Sequence, residues 1–570
     1  MKQKTIALIL GLCMTLGLLS GCGGNTASSK AETAASTGSD APAESTETTA
    51  APAQEASTPE NGAVSAAEEG VISESSIAYP VGDGDTFSIA IVMDTNYLDV
   101  LPDGDPANAD GMKIMSEKTG VNFDYTVFPM MSDNMSLMIA SGDWTDILLK
   151  LNENYTSGIV GALSDDVIMD LAPYVEEYAP DYYSYIQSTD FTRKNAYTDD
   201  GQMGAFANFG ARGIEGYGIR KDWLDEAGID TVPETYDELE NAFLAIKDNH
   251  PELKRLMPMA ASFIQQGYES LLSTGYGIDT INQPFFKNED GKIAYAWTQD
   301  GAREYLTMIA RWVDEGILDK DEMLTGDIAD TQNDIYLGKS AVIHSDAGMW
   351  GDSYMSMVED PNFEMVPMNE IVKNKGDAIR FLPTEEKVDP YWSISTTCEN
   401  PELLMQAINW IYTKEGTEVM NYGVLDKTYT VDDQGNYHFT DLVLDNPDGV
   451  PVFMATSLYT GFETPKIADD QVNTAKFTKQ VQLDAVEFWQ SQDRSADGHR
   501  RGTLTEEEQQ IVSKYTDIQT YVSEKAMAFA TGETEITDES WNDFVTNIEN
   551  SGIDEIIAAY QAAQDRYDAK

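Results

Sequence analysis

Strands that alternate with helices open the large folded part of this 570-residue chain, and this order constrains the fold more than any other feature. Residues 86–93 have the pattern of an apolar strand, residues 111–120 are helical, and residues 121–128 are again a strand. A helical stretch at residues 135–140 and a short apolar strand at residues 146–149 complete the series. The order predicts an α/β fold with a largely parallel sheet, whose ligand sites lie beyond the carboxyl ends of the strands.

Helices later in the chain carry clear boundary signals. Thr235 and Glu238 predict a capping box at the start of one helix. Asn400, followed by a proline, predicts the start of another helix, and Gly416 is expected at its end. The polar run at residues 432–436 resembles a calcium loop, but a hairpin turn between two short strands explains it more simply.

The first 22 residues have the layout of a lipoprotein signal peptide. Lys2 and Lys4 precede an apolar run at residues 6–19, which is shorter than the about 20 residues that span a bilayer as a helix. The run ends in Leu19-Ser20-Gly21-Cys22, which resembles the bacterial lipobox, where the cysteine thiol receives the lipid. We therefore expect residues 1–22 to be a signal peptide and Cys22 to carry a lipid anchor. An ordinary signal peptide, cleaved near a chance cysteine, is the alternative.

The next segment, residues 23–80, is rich in Ala, Ser, Thr, Glu and Pro and almost lacks large apolar side chains. Such a segment buries too little apolar surface to offset the entropy lost on ordering, so we expect a disordered, acidic tether. Cys13 leaves with the signal peptide and Cys22 takes the lipid, so Cys398 is left without a cysteine partner. A single buried thiol is expected there.

The formal net charge of −62 restricts the classes of partner. Nucleic-acid binding needs basic patches that displace counterions, and electrostatic docking on anionic lipid needs the same sign of charge. Both are disfavoured. A polyanionic ligand would need a local basic pocket inside a repelling field, so a neutral ligand is the simpler expectation.

Five stretches, in the same order along the chain, resemble the family 1 extracellular solute-binding proteins, the group that includes maltose-binding protein. The first is Ala140-Ser141-Gly142-Asp143-Trp144-Thr145-Asp146-Ile147, which is similar to the ASGDxPDI signature of that family, with Thr145 where proline is usual. The others lie at residues 220–235, 338–350, 395–416 and 559–567. The chain is thereby identified as a member of the oligosaccharide-binding lipoprotein branch of this family.

The resemblance implies an α/β, two-lobed fold of the periplasmic-binding-protein type, with a ligand cleft between the lobes. The expected boundaries are residues 81–210 and 366–450 for lobe 1, and residues 211–365 and 451–570 for lobe 2. The chain is expected to cross between the lobes within residues 204–218, near Val366-Pro367 and near Val450-Pro451. Glycines in the first crossing are expected to supply the backbone freedom of a hinge.

The function implied is that of the substrate-binding component of an ABC importer. Such a protein captures a sugar or oligosaccharide by cleft closure and passes it to the permease subunits in the membrane. We expect a monomer, lipid-anchored on the extracellular face of the cell membrane, that needs no cofactor and is not an enzyme.

A sugar site needs aromatic platforms for the C–H faces of the sugar and polar side chains for its hydroxyls, because an unpaired buried hydroxyl costs about 1 to 3 kcal/mol. Aromatic residues in loops beside polar residues are therefore the candidates. The expected ligand-binding residues are Asn96, Tyr97, Asn152, Tyr155, Phe209, Asp346, Trp350, Tyr391 and Trp392. Trp350, with a glycine close on either side, is expected to be an accessible platform, since maltose-binding protein has a stacking Trp in the similar loop. The helical Trp223, Trp312 and Trp410 are expected in the core. Trp144 suits a structural role and a ligand-binding role equally.

Two other functional classes remain open. An extracellular glycan hydrolase would use paired carboxylates, although 98 acidic residues make some such pair inevitable. A peptide-binding lipoprotein would share the anchor and the tether. The four histidines, His250, His344, His438 and His499, have no metal-ligand spacing, so no metal site is expected.

Overall fold

The structure describes the chain from residue 72 to residue 570, with several gaps. The computed structural model describes these residues except 95, 131–133, 156, 212, 259–263, 265–269, 281–283, 326–328, 351–357, 359, 382–386, 451, 494–495 and 497. The predicted signal peptide, Cys22 and most of the predicted tether lie outside the described residues.

The strands are short, and most of them belong to two separate sheets. They are β1 (Asp85–Met93), β2 (Val121–Pro129), β3 (Ile147–Leu149), β4 (Phe206–Phe209), β5 (Glu215–Arg220), β6 (Phe285–Lys287), β7 (Ile293–Tyr295), β8 (Val342–Asp346), β9 (Met365–Met368), β10 (Val388–Ile394), β11 (Tyr429–Val431) and β12 (Tyr437–Phe439).

Helices account for most of the remaining regular structure. They are α1 (Asn96–Val100), α2 (Asp110–Thr119), α3 (Asn134–Ser141), α4 (Leu151–Asn154), α5 (Gly158–Ser164), α6 (Val175–Tyr178), α7 (Pro180–Ile186), α8 (Asp190–Ala196), α9 (Lys221–Glu226), α10 (Tyr236–Asn249), α11 (Asp300–Asp314), α12 (Lys320–Thr325), α13 (Ala329–Tyr336), α14 (Ala347–Met349), α15 (Pro401–Asn409), α16 (Lys414–Tyr422), α17 (Asp441–Leu444), α18 (Val452–Tyr459), α19 (Gln480–Gln490), α20 (Glu506–Val512), α21 (Tyr515–Ala530), α22 (Asp538–Asn550) and α23 (Ile553–Ala569). In the part of the chain that the structure describes, none of these helices combines the length and the apolar character that crossing a membrane requires.

Lobe 1 is built on a five-stranded sheet of order β2-β1-β3-β10-β4. β1 pairs in parallel with β2 and β3, whereas β10 runs antiparallel to β3 and β4. Helices cover both faces of this sheet, and the buried side chains of β1 alternate between two apolar clusters, with Ile89 and Ile91 on one face and Ala90 on the other. The predicted βαβαβ order is confirmed for this lobe, and four of its five strands run in the same direction, although the two pairings made by β10 are antiparallel.

Lobe 2 is built on a smaller sheet of order β8-β5-β9, in which both pairings are antiparallel. Its large core joins this sheet to α10, α11 and the C-terminal helices α21 to α23. The amphipathic face of α11 supplies Trp312, which is fully buried. The largely parallel sheet that the strand–helix alternation predicts is therefore not found in this lobe, and helices supply most of its core.

The chain passes between the two sheets at three places. The first passage joins β4 to β5 through residues 210–214, and the second joins β9 to β10 through residues 369–387. The third follows Ala468, whose N–H donates to the Phe209 carbonyl of lobe 1 at 2.9 Å, and ends at α19, which packs on lobe 2.

Two of these passages differ in position from the expected ones. Val366 and Pro367 lie within β9, paired with β5, because an edge strand tolerates a proline. The segment after residue 450 stays with lobe 1. There the backbone of Thr460 packs directly on Gly111 of α2, and a Cβ atom on Gly111 would lie 2.5 Å from the Thr460 carbonyl carbon. The passage to lobe 2 therefore comes about twenty residues later than Val450-Pro451 suggests.

Several local predictions are confirmed. Gly120 ends α2 in the left-handed conformation, and the Thr235 side chain accepts the Glu238 N–H at the start of α10. β11 and β12 form the predicted hairpin, whose turn is held by the Asp432 carboxylate, a hydrogen-bond acceptor for the backbone N–H groups of Gln434 and Asn436. Gly416, by contrast, does not end the helix that starts after Asn400, because it lies in the first turn of α16.

Candidate functional site

A cavity of about 660 Å³ lies between the two lobes. Lobe 1 lines it with Asn152 and Tyr155, with the segment after α8 and with β4 and β10, whereas lobe 2 contributes Arg500, the segment before α20 and Tyr560 of α23. The volume is within the range of sites that take small molecules. Its polar groups are mostly amides and hydroxyls, and Tyr155 and Tyr560 add aromatic rings, as a sugar site requires.

Asn152 and Tyr155, both expected from the sequence, line this cavity because they follow β3 at its carboxyl end. The Asn152 side-chain oxygen accepts the Ile159 N–H at 3.0 Å, which fixes the carboxamide against the start of α5. Among the described residues its Nδ2 group has no hydrogen-bond acceptor, so it remains available as a donor. The Tyr155 hydroxyl donates to the Asp165 carboxylate at 2.6 Å. Burial, followed by the effect of Asp165, raises the pKa of Tyr155 to about 12.

A second polar cluster surrounds Glu463, next to Lys150 after β3 and Tyr391 of β10. The Lys150 Nζ atom is 2.9 Å from a Glu463 carboxylate oxygen and 4.9 Å from the centre of the Tyr391 ring. The Tyr391 hydroxyl donates to the same carboxylate. Burial lowers the pKa of Lys150, but the Glu463 charge outweighs that effect, so the pKa is raised overall. The cluster therefore holds a charged pair in a partly dehydrated site.

Tyr97 joins this cluster through Phe462, whose ring it meets edge-on at 4.9 Å. Burial, with the Glu463 charge as the next cause, raises the pKa of Tyr97. Asn96 is exposed at the start of α1, and its side-chain amide donates to the Asp94 carboxylate at 3.2 Å. Tyr97 and Tyr391 therefore both lie within reach of the Glu463 charge, and sequence reasoning missed Glu463.

Trp350 does not present the accessible ring expected from its neighbouring glycines. The side chain is 0% exposed and meets the Trp489 ring at 5.1 Å and 87°. Gly218 of β5 makes this position possible, because a Cβ atom there would lie 2.0 Å from the Trp350 ring. The prediction that the Trp350 ring is accessible is wrong, because Gly218 on the facing strand leaves space for the indole in the core of lobe 2. A ligand contact would require the ring to leave that core.

Phe209 and Trp392 are also buried. Phe209 is 3% exposed at the end of β4 and packs on Tyr185 at 4.6 Å, within the aromatic core of lobe 1. Trp392 is 0% exposed, and its indole N–H donates to the Glu463 carbonyl at 2.8 Å. Phe209, expected to bind ligand, is thus observed packing within its own lobe. The Trp392 ring contributes to the site by holding the Glu463 segment in place.

Asp346 lies at the end of β8, where lobe 2 faces the crossing segments. It stands opposite Glu215 in the β5–β8 pairing, and burial, followed by the Asp346 charge, raises the pKa of Glu215. Burial lowers the pKa of two lysines in the third crossing region, Lys466 and Lys476. For Lys466, burial followed by the Lys476 charge lowers the pKa to about 8. This region holds charges of both signs, but none of these residues lines the cavity.

The remaining tryptophans are mostly structural. Trp223, Trp312 and Trp410 are buried, as expected for the core. Trp144 is half-buried, and its indole N–H donates to the Ile139 carbonyl at 2.9 Å, so it closes the turn after α3.

Two cavity residues, Arg500 and Tyr560, were not predicted from the sequence, because nothing in the local pattern of the C-terminal region indicates that the chain returns to the cleft.

Comparison with known families gives a match over more than half of the chain. Residues 104–418 match the family described as bacterial extracellular solute-binding protein. Lipoprotein LipO of Bacillus subtilis is 23% identical over 348 residues, which are 58% of this chain and 66% of LipO. The fructooligosaccharide ABC transporter substrate-binding protein FusA of Streptococcus pneumoniae is 22% identical over 231 residues, which are 38% of this chain and 43% of FusA. The chain therefore matches less than two thirds of the length of either relative.

Solved structures share the fold over a larger part of the chain. FusA of S. pneumoniae in complex with kestose has a TM-score of 0.65 at 17% identity, and the match covers 85% of this chain and 100% of that one. An extracellular solute-binding protein from Bifidobacterium longum subsp. infantis has a TM-score of 0.66 at 16% identity, with 85% and 98% covered. At these identities the likeness establishes the two-lobed α/β fold.

Proposed function

Since the chain belongs to the bacterial extracellular solute-binding protein family, we propose that it is the substrate-binding component of an ABC importer and that its ligand is a sugar or oligosaccharide. The ligand would occupy the cavity between the lobes and pass from there to the permease subunits. The protein would act as a monomer on the extracellular face of the membrane.

The observation that carries this proposal is the composition of the cavity wall. Amide groups of Asn152, Asn195 and Gln509, hydroxyl groups of Thr198 and Thr503, and the rings of Tyr155 and Tyr560 line one space of about 660 Å³. Amides and hydroxyls pair with sugar hydroxyls, and aromatic rings cover the C–H faces of a sugar. FusA, which is named for fructooligosaccharides and was crystallised with kestose, supports a sugar as the ligand class.

Capture would depend on closure of the lobes. Both lobes contribute to the cavity wall, so a ligand makes all of its contacts only when the lobes are together. Ligand binding then stabilises the closed arrangement by its differential affinity for that state. The three crossings would accommodate the movement.

Calorimetry of the full chain against a panel of neutral and acidic oligosaccharides and peptides tests the proposal, with product analysis after each titration. We expect one glycan per chain to bind and to be recovered unaltered. Release of a shortened glycan would indicate a hydrolase instead, and binding of peptides alone would contradict the sugar ligand.

We further propose that Cys22 carries a lipid that holds the protein at the membrane. The lipobox-like sequence supports this, as does similarity to a protein that is itself named a lipoprotein. Cys22→Ser should move the protein from the membrane fraction to the soluble fraction, because acylation supplies the anchor. Cys398→Ser is the matched control, since that thiol is buried and should not affect distribution. An unchanged distribution of the Cys22→Ser variant would contradict the lipid anchor.

A further inference from the structure

The carboxamide side chains of Asn152 and Asn195 line the same cavity from lobe 1. A carboxamide donates through its nitrogen and accepts through its oxygen, so its role toward a ligand depends on which end the protein already uses. The orientation is settled where the partner is a backbone group, because a backbone N–H only donates and a backbone carbonyl only accepts. Each of these two amides has such a partner, and the two orientations are opposite.

Asn152 has its oxygen engaged by the protein. The Asn152 Oδ1 atom accepts the Ile159 N–H at 3.0 Å, so the oxygen faces the start of α5. Gly158 leaves room for it, because a Cβ atom there would lie 2.8 Å from that oxygen. The side chain is exposed, and among the described residues no group accepts a hydrogen bond from its Nδ2 atom. Asn152 therefore presents a donor whose direction the backbone fixes.

Asn195 has its nitrogen engaged instead. The Asn195 Nδ2 group donates to the Phe191 carbonyl, four residues earlier in α8, at 2.8 Å and to the Tyr567 hydroxyl at 3.0 Å. A carboxamide has two N–H groups, so these two bonds use both of them. The Oδ1 atom is the part of the amide that is left, and no described residue donates to it. Asn195 therefore presents an acceptor.

On the basis of the proposed function, we infer that Asn152 and Asn195 determine specificity by binding two groups of a glycan in opposite hydrogen-bonding roles. Asn152 donates to a ligand oxygen, which can belong to a hydroxyl, an ether or a carbonyl. Asn195 accepts from a ligand hydroxyl. A carboxylate, an ether or a substituted hydroxyl has no proton to give at that position, so the ligand class is a glycan with a free hydroxyl group opposite Asn195.

The bond to Tyr567 connects this choice to the other lobe. Asn195 lies in α8 of lobe 1, whereas Tyr567 lies in α23 of lobe 2. A hydroxyl that donates to the Asn195 oxygen polarises the amide and strengthens the bonds made by its N–H groups. Recognition of the hydroxyl at Asn195 thereby favours contact between the lobes.

A polar pair of this kind discriminates more strongly than an apolar wall. When a ligand lacks the group that a site is built to bind, the polar atoms of the protein are covered without a partner, and affinity falls steeply. Asn195 is half-buried before any ligand binds, so its oxygen has little water to lose before it depends on the ligand. We therefore expect the loss of one ligand proton at this position to be measurable.

Calorimetric titration of the full chain with maltotriose, cellotriose, raffinose and kestose, each beside its monodeoxyfluoro derivatives, tests the acceptor. Fluorine replaces a hydroxyl with little change in size but cannot donate. We expect one fluorinated position of a bound trisaccharide to weaken binding at least tenfold. Asn195→Leu should bind the unsubstituted trisaccharide at least tenfold more weakly and should reduce the cost of that fluorine to about twofold or less, because the contact is already absent.

Asn152→Asp tests the donor. The carboxylate keeps the size of the side chain and an oxygen for the Ile159 N–H, but it cannot donate to the ligand. We expect binding of the unsubstituted trisaccharide to weaken at least tenfold, whereas the cost of the fluorine opposite Asn195 should persist.

Asn241 supplies the matched controls. It lies exposed on α10, does not line the cavity, and its Nδ2 group donates to the Asp237 carbonyl four residues earlier at 2.7 Å, as Asn195 does to Phe191. Asn241→Asp and Asn241→Leu carry the same two changes and should leave affinity within about twofold. Thermal unfolding of each variant verifies that it is folded.

Two kinds of result separate the specificity pair from the proposed function. Wild-type affinity of Asn152→Asp or Asn195→Leu, a fluorine cost that Asn195→Leu leaves unchanged, or the lack of any fluorinated position with a tenfold cost in the wild type would overturn the pair and leave the importer function in place. A wild-type chain that binds no glycan would contradict the proposed function itself.

Discussion

Trp350 packs against β5 at a position where that strand has glycine and therefore no side chain. Gly216 and Gly218 of β5 lie under Trp489 and Trp350, and a Cβ atom at either position would overlap the nearest ring, at 2.4 and 2.0 Å. The two indoles also meet each other edge-on, so the contact joins β5, α14 and α19. At the scale of single residues, a pair of glycines thus decides which aromatic rings belong to the core.

Trp350→Ala should lower the free energy of unfolding by about 3 to 5 kcal/mol, because removal of a fully buried indole leaves a cavity. Urea denaturation measures this loss. Trp410→Ala is the comparison, since Trp410 is buried to a similar extent in lobe 1 and should cost a similar amount. A Trp350→Ala variant with wild-type stability and weakened glycan binding would show that the ring leaves the core to contact ligand.

At the scale of an element, the sharp turn between α15 and α16 depends on one glycine. A 3-10 turn at Trp410–Tyr412 links the two helices, and the Thr413 side chain accepts the Gly416 N–H at 3.1 Å. A Cβ atom on Gly416 would lie 1.9 Å from the Trp410 carbonyl oxygen. The glycine therefore allows the new helix to start against the backbone of the previous one.

Gly416→Ala should destabilise the protein by about 1 to 3 kcal/mol or more, because the added methyl group meets backbone that can move only with both helices. Gly213→Ala is the matched control: a Cβ atom there meets no described atom within 4 Å, and the residue has no positive φ. Its stability should change by about 0.5 kcal/mol or less. Equal unfolding midpoints for the two variants would contradict this account of the turn.

At the scale of the whole molecule, an ion cluster joins the lobes along one rim of the cavity. Asp199, which follows α8 in lobe 1, accepts the Arg566 Nε–H at 2.6 Å and lies 2.9 Å from the Lys570 ammonium group. Arg566 also binds Glu508 at 2.6 Å, within lobe 2. Burial raises the pKa of Asp199, but the two cations outweigh it and lower the pKa overall. The cluster therefore favours contact between the lobes at neutral pH.

Asp199→Asn should weaken that contact by about 1 to 2 kcal/mol, which changes the ratio of closed to open molecules about 5- to 30-fold. Small-angle X-ray scattering of the ligand-free protein should then give a larger radius of gyration than for the wild type. The control is Asp190→Asn, because Asp190 pairs with Arg193 inside α8 and not across the lobes. Identical radii for all three proteins would mean that the cluster does not hold the lobes together.

Local patterns predicted the early elements well. The strand at residues 86–93, the helix that ends at Gly120 and the Thr235 cap all match the structure closely, since apolar period and capping groups act within a few residues of each other. The antiparallel sheet of lobe 2 and the later crossings were missed. Each depends on a partner that is distant along the chain, such as β5 for Pro367 or α2 for Thr460.

The residues of the candidate site also divide into those that local sequence predicts and those that depend on distant parts of the chain. Asn152 and Tyr155 line the cavity because residues after a parallel strand gather at one edge of a sheet, which is a rule of connectivity that the sequence reveals. Arg500 and Tyr560 follow no such rule, and they line the cavity only because the chain returns to it late in its course.

By itself the sequence determined the class of protein: the strand–helix alternation, the ordered motifs and the apolar content are consistent with one two-lobed α/β family. Only the tertiary structure decided which aromatic rings are buried, where the lobes are joined and which side chains line the cavity. Periodicity and capping are encoded between near neighbours, whereas burial and electrostatics depend on which distant residues approach, as Gly218 does for Trp350 and Tyr560 for Arg500.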